Sequence, residues 1–268
     1  YKDMVRRAVE YVRRGDVVQV LPSRRLSRRT TADPFDIYRA LRMLNPSPYM
    51  FFLQLDETIL VGSSPEVLVR KTGDTVEVRP IAGTRPRGMD DRADRRYERE
   101  LRTSEKENAE HLMLVDLARN DVGRVAVFGS VNCPELKTVE RYSHVMHLTS
   151  LVRGRLLPGL DAVDVLAACF PAGTVSGAPK VRAMQIIAEL ERTMRGPYAG
   201  AVGYFGLTGT MDMAITIRTI VYRDGTVHIQ SGGGVVADSV PEQEYRETLN
   251  KAKASLLAVW IAEHPEER

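Results

Sequence analysis

Met4, Val5, Ala8, Val9 and Val12 recur every three or four residues, a spacing that predicts an amphipathic helix ending near Gly15. The same period predicts helices over 35–44, along a densely charged stretch running to about Asn120, over 161–169, over 180–190, and from Pro241 past Leu256. Between them lie runs of strand character at 17–21, 49–55, 59–63, 66–71, 75–79, 124–131, 145–152, 201–205, 213–222 and 226–230. Gly73-Asp74 and Asp224-Gly225 are hairpin signals, so the strands they join pair antiparallel. The strands gather into two β-rich regions, about 17–79 and 125–230, each interrupted by helices. The expected fold is therefore α+β, with two stacked, largely antiparallel β-sheets (a β-sandwich) surrounded by helices in a single domain over 1–268.

Polar residues interrupt the pattern at a few places. Gln19 sits inside the apolar run 17–21, and Arg218 inside 214–221. A buried amide needs hydrogen-bond partners, and a buried guanidinium needs a counter-charge, which for Arg218 is a bound carboxylate or a protein Asp or Glu. In the last helix Ser239 and Glu242 have capping-box spacing and Pro241 falls in the first turn. Tyr245, Leu249, Ala252 and Leu256 mark its buried face, and Glu244, Glu247 and Lys251 form a second, charged stripe. The preceding run Gly232-Gly233-Gly234 lets the backbone approach a ligand closely or adopt positive φ. Glu107, Glu110 and His111 lie at i, i+3 and i+4, where all three can meet one partner. E-x-x-E-H lacks the second histidine of the zinc pattern; its oxygen donors suit magnesium, and a solvated helix face accounts for the same spacing. His144 and His147 accompany the 145–152 strand, and an imidazole titrates near neutral pH. The loop 170–180 departs from the G-x-x-x-x-G-K-[ST] phosphate cradle, which argues against a nucleotide site.

Composition narrows the class. The chain has 268 residues, 43% of them hydrophobic and 27% charged, enough for a sizeable core. A net charge of +3 demands neither nucleic acid nor a membrane surface as partner. Arg24, Arg25, Arg28 and Arg29 cluster without interleaved aromatics, which reads as a surface or a subunit contact in a homo-oligomer. Cys133 and Cys169 are isolated with no C-x-x-C spacing, which argues against a disulfide framework or a zinc site and fits a reducing cytoplasm. No apolar run reaches the ~20 residues of a membrane span. Two acidic helices, Arg218, Lys251 and the glycine N–H groups together point to acid/base or electrostatic chemistry on a small polycarboxylate.

Several motifs now carry a resemblance. Pro80-Ile81-Ala82-Gly83-Thr84, Glu110-His111 with 116–121, the 170–180 loop, Gly196-Pro197-Tyr198 and the 232–251 stretch resemble, in that order, the chorismate-utilising enzymes. The likeness covers nearly the whole chain and is nearest to the anthranilate synthase component I branch. The chain, which starts at Tyr1, is expected to be its catalytic domain without the family's preceding N-terminal segment.

The resemblance implies an active site in the cleft between two stacked sheets, with chorismate and Mg²⁺ bound there. It implies that Glu110 and Glu247 ligate the metal and that Glu107 and Glu244 hold metal-bound waters. Thr84, Thr174, Tyr198, Arg218, Lys251 and the run Gly232, Gly233, Gly234 bind substrate; Glu66 is the general acid for the departing C4 hydroxyl, and His147 assists the elimination of pyruvate. Gln19 occupies the place of the water-activating lysine of isochorismate and salicylate synthases, and Ala82 that of the lysine that attacks the ring in aminodeoxychorismate synthases. Both departures favour ammonia attacking C2 and a product, anthranilate, that opens tryptophan biosynthesis, with a glutamine amidotransferase subunit (component II) supplying the ammonia. The alternatives are an ammonia-using enzyme that stops at aminodeoxychorismate or 2-amino-2-deoxyisochorismate, and a catalytically silent regulatory module. Pro48, Tyr49 and Met50 resemble one wall of the family's tryptophan feedback site. With the other wall in the preceding segment, calorimetry on this chain should show weak or no tryptophan binding, and tight binding would refute that division of the site.

Overall fold

The apolar stripe at the start of the chain forms α1 (Lys2–Arg13), which ends just before Gly15 takes a φ of 81°. The computed structural model describes residues 1–142 and 145–267, so His144 lies outside the described residues. After α1 the chain forms β1 (Gln19–Val20), β2 (Ser23–Arg29), α2 (Pro34–Leu44), β3 (Tyr49–Leu55), β4 (Thr58–Ser64), β5 (Val67–Thr72), β6 (Thr75–Val78) and β7 (Ile81–Pro86). Next come α3 (Asp91–Thr103), α4 (Glu105–Gly123), β8 (Asn132–Arg141), β9 (Val145–Arg155), α5 (Ala162–Cys169), β10 (Gly177–Ala178) and α6 (Lys180–Leu190). The last part holds β11 (Ala201–Phe205), β12 (Met211–Ile215), β13 (Thr219–Arg223), β14 (Thr226–Gly232) and α7 (Pro241–Glu263). These elements fall into two compact units, one of residues 1–66, 171–202 and 214–268, the other of residues 67–170 and 203–213.

The first unit is built on a five-stranded antiparallel sheet ordered β2-β14-β13-β4-β3. Val227 and Ile229 alternate toward one face of it, where with Val61 and Ile220 they meet Ile37, Ala40 and Leu41 of α2 and Ala252, Ala258 and Val259 of α7. A second cluster packs Val5, Ala8 and Val9 of α1 against Ala183, Ile186, Ile187 and Leu190 of α6, with Val20 and Val235. Gly177 closes the short β1–β10 ladder: its φ is 132°, and a Cβ there would lie 2.2 Å from the Gln19 carbonyl oxygen.

The second unit holds most of a sheet of seven strands ordered β11-β12-β5-β6-β9-β7, with β8 also paired to β9; the first residues of β11 and the last of β12 belong to the first unit. Its core gathers Leu101, Val139, Met146 and Leu148. The α+β class with antiparallel sheets is as expected from the pattern.

Local differences have identifiable causes. The single long charged helix is two, because Ser104 is extended (φ −67°, ψ 111°), closing α3 and capping α4 through a 3.3 Å bond from the Glu107 N–H to its Oγ. Asn108 stabilises the break by donating to the carbonyls of Arg102 and Ser104. The Pro/Gly stretch after Pro80 is a strand, β7, at the sheet edge; Gly83 (φ 59°) takes up a register shift between Ala82 and Thr84. Residues 124–131 form turns rather than a strand, and the pairing moves on to β8. The expected strand 213–222 is broken into β12 and β13, with Arg218 at φ 50° in the gap. The arginine cluster proves to be strand β2, where Arg24 stacks on the Tyr245 ring and Arg28 pairs with Glu263.

In α5, Asp161 and Asp164 form a reciprocal capping box. Asp161→Ala should therefore lower stability by about 1 kcal/mol, seen as a lower urea midpoint at unchanged slope. Asp161→Asn should keep most of that stability, and equal losses in the two variants would remove the cap from the account.

Candidate active site

In the first unit the glycine run is pressed by three polar side chains. A Cβ on Gly232 would sit 3.0 Å from the Tyr198 hydroxyl, one on Gly233 2.7 Å from Glu244 Oε2, and one on Gly234 2.4 Å from Gln19 Nε2. Each glycine thus makes room for one residue of the candidate set, and none of the three has a positive φ. The Gly233 N–H donates to the Tyr1 hydroxyl at 3.2 Å, which in turn donates to the Pro22 carbonyl at 3.3 Å. The Gly232 carbonyl accepts from Lys251 Nζ at 2.9 Å.

α7 carries the charged stripe as the spacing requires, but not with the expected cap. Its N-cap is Val240, and Ser239 instead accepts the Val236 N–H and donates to Glu244 Oε1 at 2.8 Å. The reason is that Glu244 is buried and takes the hydroxyl that a capping box would have used. Glu247, on the exposed side, pairs with Lys251 at 2.6 Å. Arg218 reaches α7 as well, donating from Nη1 to the Lys251 carbonyl at 2.9 Å. Burial lowers the Arg218 pKa, opposed by Glu66, Tyr198 and Glu247.

Glu66 follows β4, its carbonyl accepting the Ile215 N–H at 3.0 Å. Desolvation raises its carboxyl pKa, and the opposing effects of Thr174, Lys251 and Arg218 do not cancel this. The Thr174 hydroxyl is buried and has no hydrogen bond of normal geometry among the described residues. A buried hydroxyl left in that state beside a protonatable carboxyl is suited to receive a ligand oxygen. Burial also pushes the Tyr198 phenol up to about 12, so it remains a neutral donor at working pH.

In the second unit Thr84 and His147 are paired across β7 and β9. His147 Nδ1 lies 3.1 Å from both the Thr84 hydroxyl and the Gly83 carbonyl oxygen. A carbonyl only accepts, so Nδ1 carries a proton, and whenever the ring is neutral its lone pair is on Nε2. Glu107 lies in the first turn of α4, is bonded to Arg85 at 3.1 Å and packs against Gly83. His111 turns toward β9, whereas Glu107 is bonded to Arg85. The His111 imidazole is fully buried, 2.6 Å from the Ser150 hydroxyl, and desolvation brings its pKa down to about 4.

Each unit carries one pair of acidic residues with the oxygen donors that a hard divalent cation takes. Glu107 and Glu110 on α4, and Glu244 and Glu247 on α7, offer carboxylate oxygens only. Among the described residues, however, no cluster of three or more His, Cys, Asp or Glu is gathered as for a metal ion. Tyr49 and Met50 are half-buried at the start of edge strand β3, and Pro48 just before it is exposed.

A family model described as chorismate binding enzyme matches residues 1–257. The chain belongs to the chorismate binding enzyme family. Its sequence is 59% identical to anthranilate synthase component 1 of Aquifex aeolicus over 267 residues, covering 100% of this chain and 54% of that one. It is 57% identical to the Thermus thermophilus protein of the same name, covering 98% of this chain and 57% of that one. Among solved structures, anthranilate synthase component I from Streptococcus pneumoniae superposes with a TM-score of 0.89 at 47% identity, over 95% of this chain and 56% of that chain. The chain thus spans about half the length of these relatives.

Gln19 and Ala82, the two positions at which the sequence departs from other branches in the expected reading, have distinct settings. Gln19 puts its amide against Gly234, and Ala82, opposite Leu148 in the β7–β9 ladder, is buried and brings no polar group. The sequence reading passed over Tyr1, which takes the Gly233 N–H, and the pair Glu191–Arg195, whose i, i+4 spacing just before Gly196-Pro197-Tyr198 was the available signal.

The raised pKa of Glu66 has a consequence for stability. Above the ordinary value of 4.5 the folded chain holds this proton while the unfolded chain has lost it, so stability falls as pH rises, until the folded-state pKa is passed. Glu66→Gln removes this dependence. The stability of wild type relative to the variant should decline as pH climbs above 4.5 and then level off. A difference that stays flat from about pH 4 to about pH 8 in urea titrations would refute the raised proton affinity.

Proposed function

We propose that this chain aminates chorismate with ammonia and then eliminates pyruvate, yielding anthranilate, the first step of tryptophan biosynthesis. The observation that carries the reading is Glu66: a carboxyl whose proton affinity burial raises, in the same unit as Arg218, Lys251, Tyr198 and the buried Thr174 hydroxyl. Two cations and neutral donors suit a dicarboxylate, and an acid of raised proton affinity suits a hydroxyl leaving group. The relatives named anthranilate synthase component 1 support the same conclusion.

In the first step a C–N bond forms at C2, the ring double bonds shift, and the C4–O bond breaks. Glu66 supplies the proton with which the hydroxyl departs as water, and the surplus proton on nitrogen returns to solvent. In the second step the C2 proton is lost and the bond from ring C3 to the enolpyruvyl oxygen cleaves; the ring becomes aromatic and the departing enolate takes up a proton to become pyruvate. His147 Nε2, made the lone-pair nitrogen by the bond at Nδ1, is the base proposed to assist. Gln19 has no basic nitrogen with which to activate water, and Ala82 no amine with which to attack the ring, so ammonia is the nucleophile. Mg²⁺ is the proposed cofactor, with Glu110 and Glu247 as the residues that would ligate it and Glu107 and Glu244 acting through water; when bound it neutralises substrate carboxylate charge.

Thr84, Thr174, Tyr198, Arg218, Lys251 and the glycine run bind substrate in this proposal. The name component 1 supports a second component, proposed to be a glutamine amidotransferase that delivers ammonia. A cytoplasmic location belongs to the same proposal, supported by Cys133 and Cys169 being thiols rather than a disulfide.

Incubated with chorismate, Mg²⁺ and ammonium at mildly alkaline pH, the chain should generate anthranilate fluorescence that a chelator abolishes. Glu66→Gln should lower kcat by about 10²- to 10⁴-fold. Accumulation of an aminated, non-aromatic product in place of fluorescence would favour an enzyme that stops before pyruvate loss. Unchanged turnover in both Glu110→Gln and Glu247→Gln would remove these two carboxylates from metal binding.

A further inference from the structure

The segment that links α6 to β11 contains a nearly buried ion pair to which none of the chemistry above assigns a task. Glu191 is 6% exposed and Arg195 18%. Arg195 Nε lies 3.2 and 3.0 Å from the two carboxylate oxygens of Glu191, and its Nη2 is 2.7 Å from Oε1. Burying two charges is costly unless their remaining hydrogen-bonding capacity is also met. Here it is met entirely by groups next to the candidate substrate-binding residues. Arg195 Nη1 donates to the Val175 carbonyl at 2.7 Å, directly after Thr174. Its Nη2 donates to the Leu21 carbonyl at 2.7 Å, directly after the strand that carries Gln19. The guanidinium lies 5.4 Å from the Tyr198 ring centroid.

Glu191 extends the network in the other direction. Its Oε1 accepts both the Ser23 N–H at 2.7 Å and the Ser23 hydroxyl at 2.8 Å. Ser23 is the ladder partner of Gly232, and its hydroxyl in turn accepts from Gln230 Nε2 at 2.7 Å. One ion pair therefore fixes the Thr174 loop, the Gln19 strand, the Tyr198 ring and the strand end that opens the glycine run. The planar fork of arginine is what allows this, since its N–H groups leave in fixed, divergent directions toward one carboxylate and two carbonyls. A lysine at the same place keeps the charge but not the geometry.

We propose that Glu191 and Arg195 are positioning residues, which set the places of Tyr198 and the Thr174 hydroxyl for the substrate. The effect on substrate rests on the proposed chorismate chemistry; the effect on Tyr198 does not. The test uses Arg195→Lys and, as a milder variant, Ser23→Ala, in protein labelled with 3-fluorotyrosine, the Tyr198 resonance being assigned by its absence in Tyr198→Phe. In Arg195→Lys the Tyr198 fluorine line should shift or broaden. The KM for chorismate should rise about tenfold, with binding weakened by removal of a bidentate partner. Loss of the Thr174 effect on Glu66 should move the alkaline limb of the pH–kcat profile to higher pH. Ser23→Ala should produce the same changes at smaller amplitude.

A lowered melting temperature with the fluorine line unmoved, KM within about twofold and the pH limb unchanged would make the pair purely structural and overturn the proposal. If the wild-type chain shows no turnover of chorismate, the functional reading falls, and the fluorine line alone decides whether the pair positions Tyr198. Should Arg195→Lys fail to fold, Ser23→Ala decides by the same criteria.

Discussion

The first unit depends on a volume constraint at Gly232–Gly234. Three consecutive residues have side-chain space that is already taken: at Gly232 by the Pro22 carbonyl oxygen with the Tyr198 hydroxyl beside it, at Gly233 by Glu244 and at Gly234 by Gln19. That arrangement ties the end of β14, the start of β1, the loop after α6 and the first turn of α7 into one local structure. Lys251 then binds back to the Gly232 carbonyl, and Arg218 to the Lys251 carbonyl, so the charged stripe of α7 is held by backbone as well as by Glu247. The residues proposed to touch substrate are thus immobilised by one another, which is the condition for a preorganised site.

Charge in this unit is managed by burial with partial compensation. Glu66 is desolvated more than its neighbours can offset, which raises its pKa; Arg218 is desolvated too, which lowers its pKa, and nearby acids oppose that. The same environment therefore favours the neutral form of the acid while Glu66, Tyr198 and Glu247 favour the charged form of the guanidinium. In the second unit the logic is geometric. A bond from Nδ1 to the Gly83 carbonyl fixes the tautomer of His147, and the register of β7 on β9 sets Thr84 beside it. His111, one residue from Glu110, is a contrasting case, since full burial against Ser150 makes it a neutral core residue.

Much of the fold was legible because helices and strands write their period into adjacent residues. α6 matched its expected bounds, and α2 and α5 fell within a residue of theirs. The misreadings share a physical origin in polar side chains competing for backbone groups. Ser104 broke a helix by capping from its middle, and Ser239 was drawn from its capping role by the buried Glu244. Strand β2 was hidden because its arginines are drawn to Tyr245 and Glu263 rather than alternating with apolar residues.

The sequence by itself determined the element types, the antiparallel hairpins, the family and the identity of most candidate residues, since these depend on local spacing and on motifs in order. Only the tertiary structure decided what each glycine makes room for, which backbone group Arg218 binds, and that Glu191 and Arg195 brace the candidate site. The physical reason is distance along the chain: Ser23 and Glu191 are 168 residues apart, and Arg195 reaches a carbonyl 174 residues before it. A hydrogen bond of that kind leaves no periodicity in either segment, so nothing short of the folded chain discloses it.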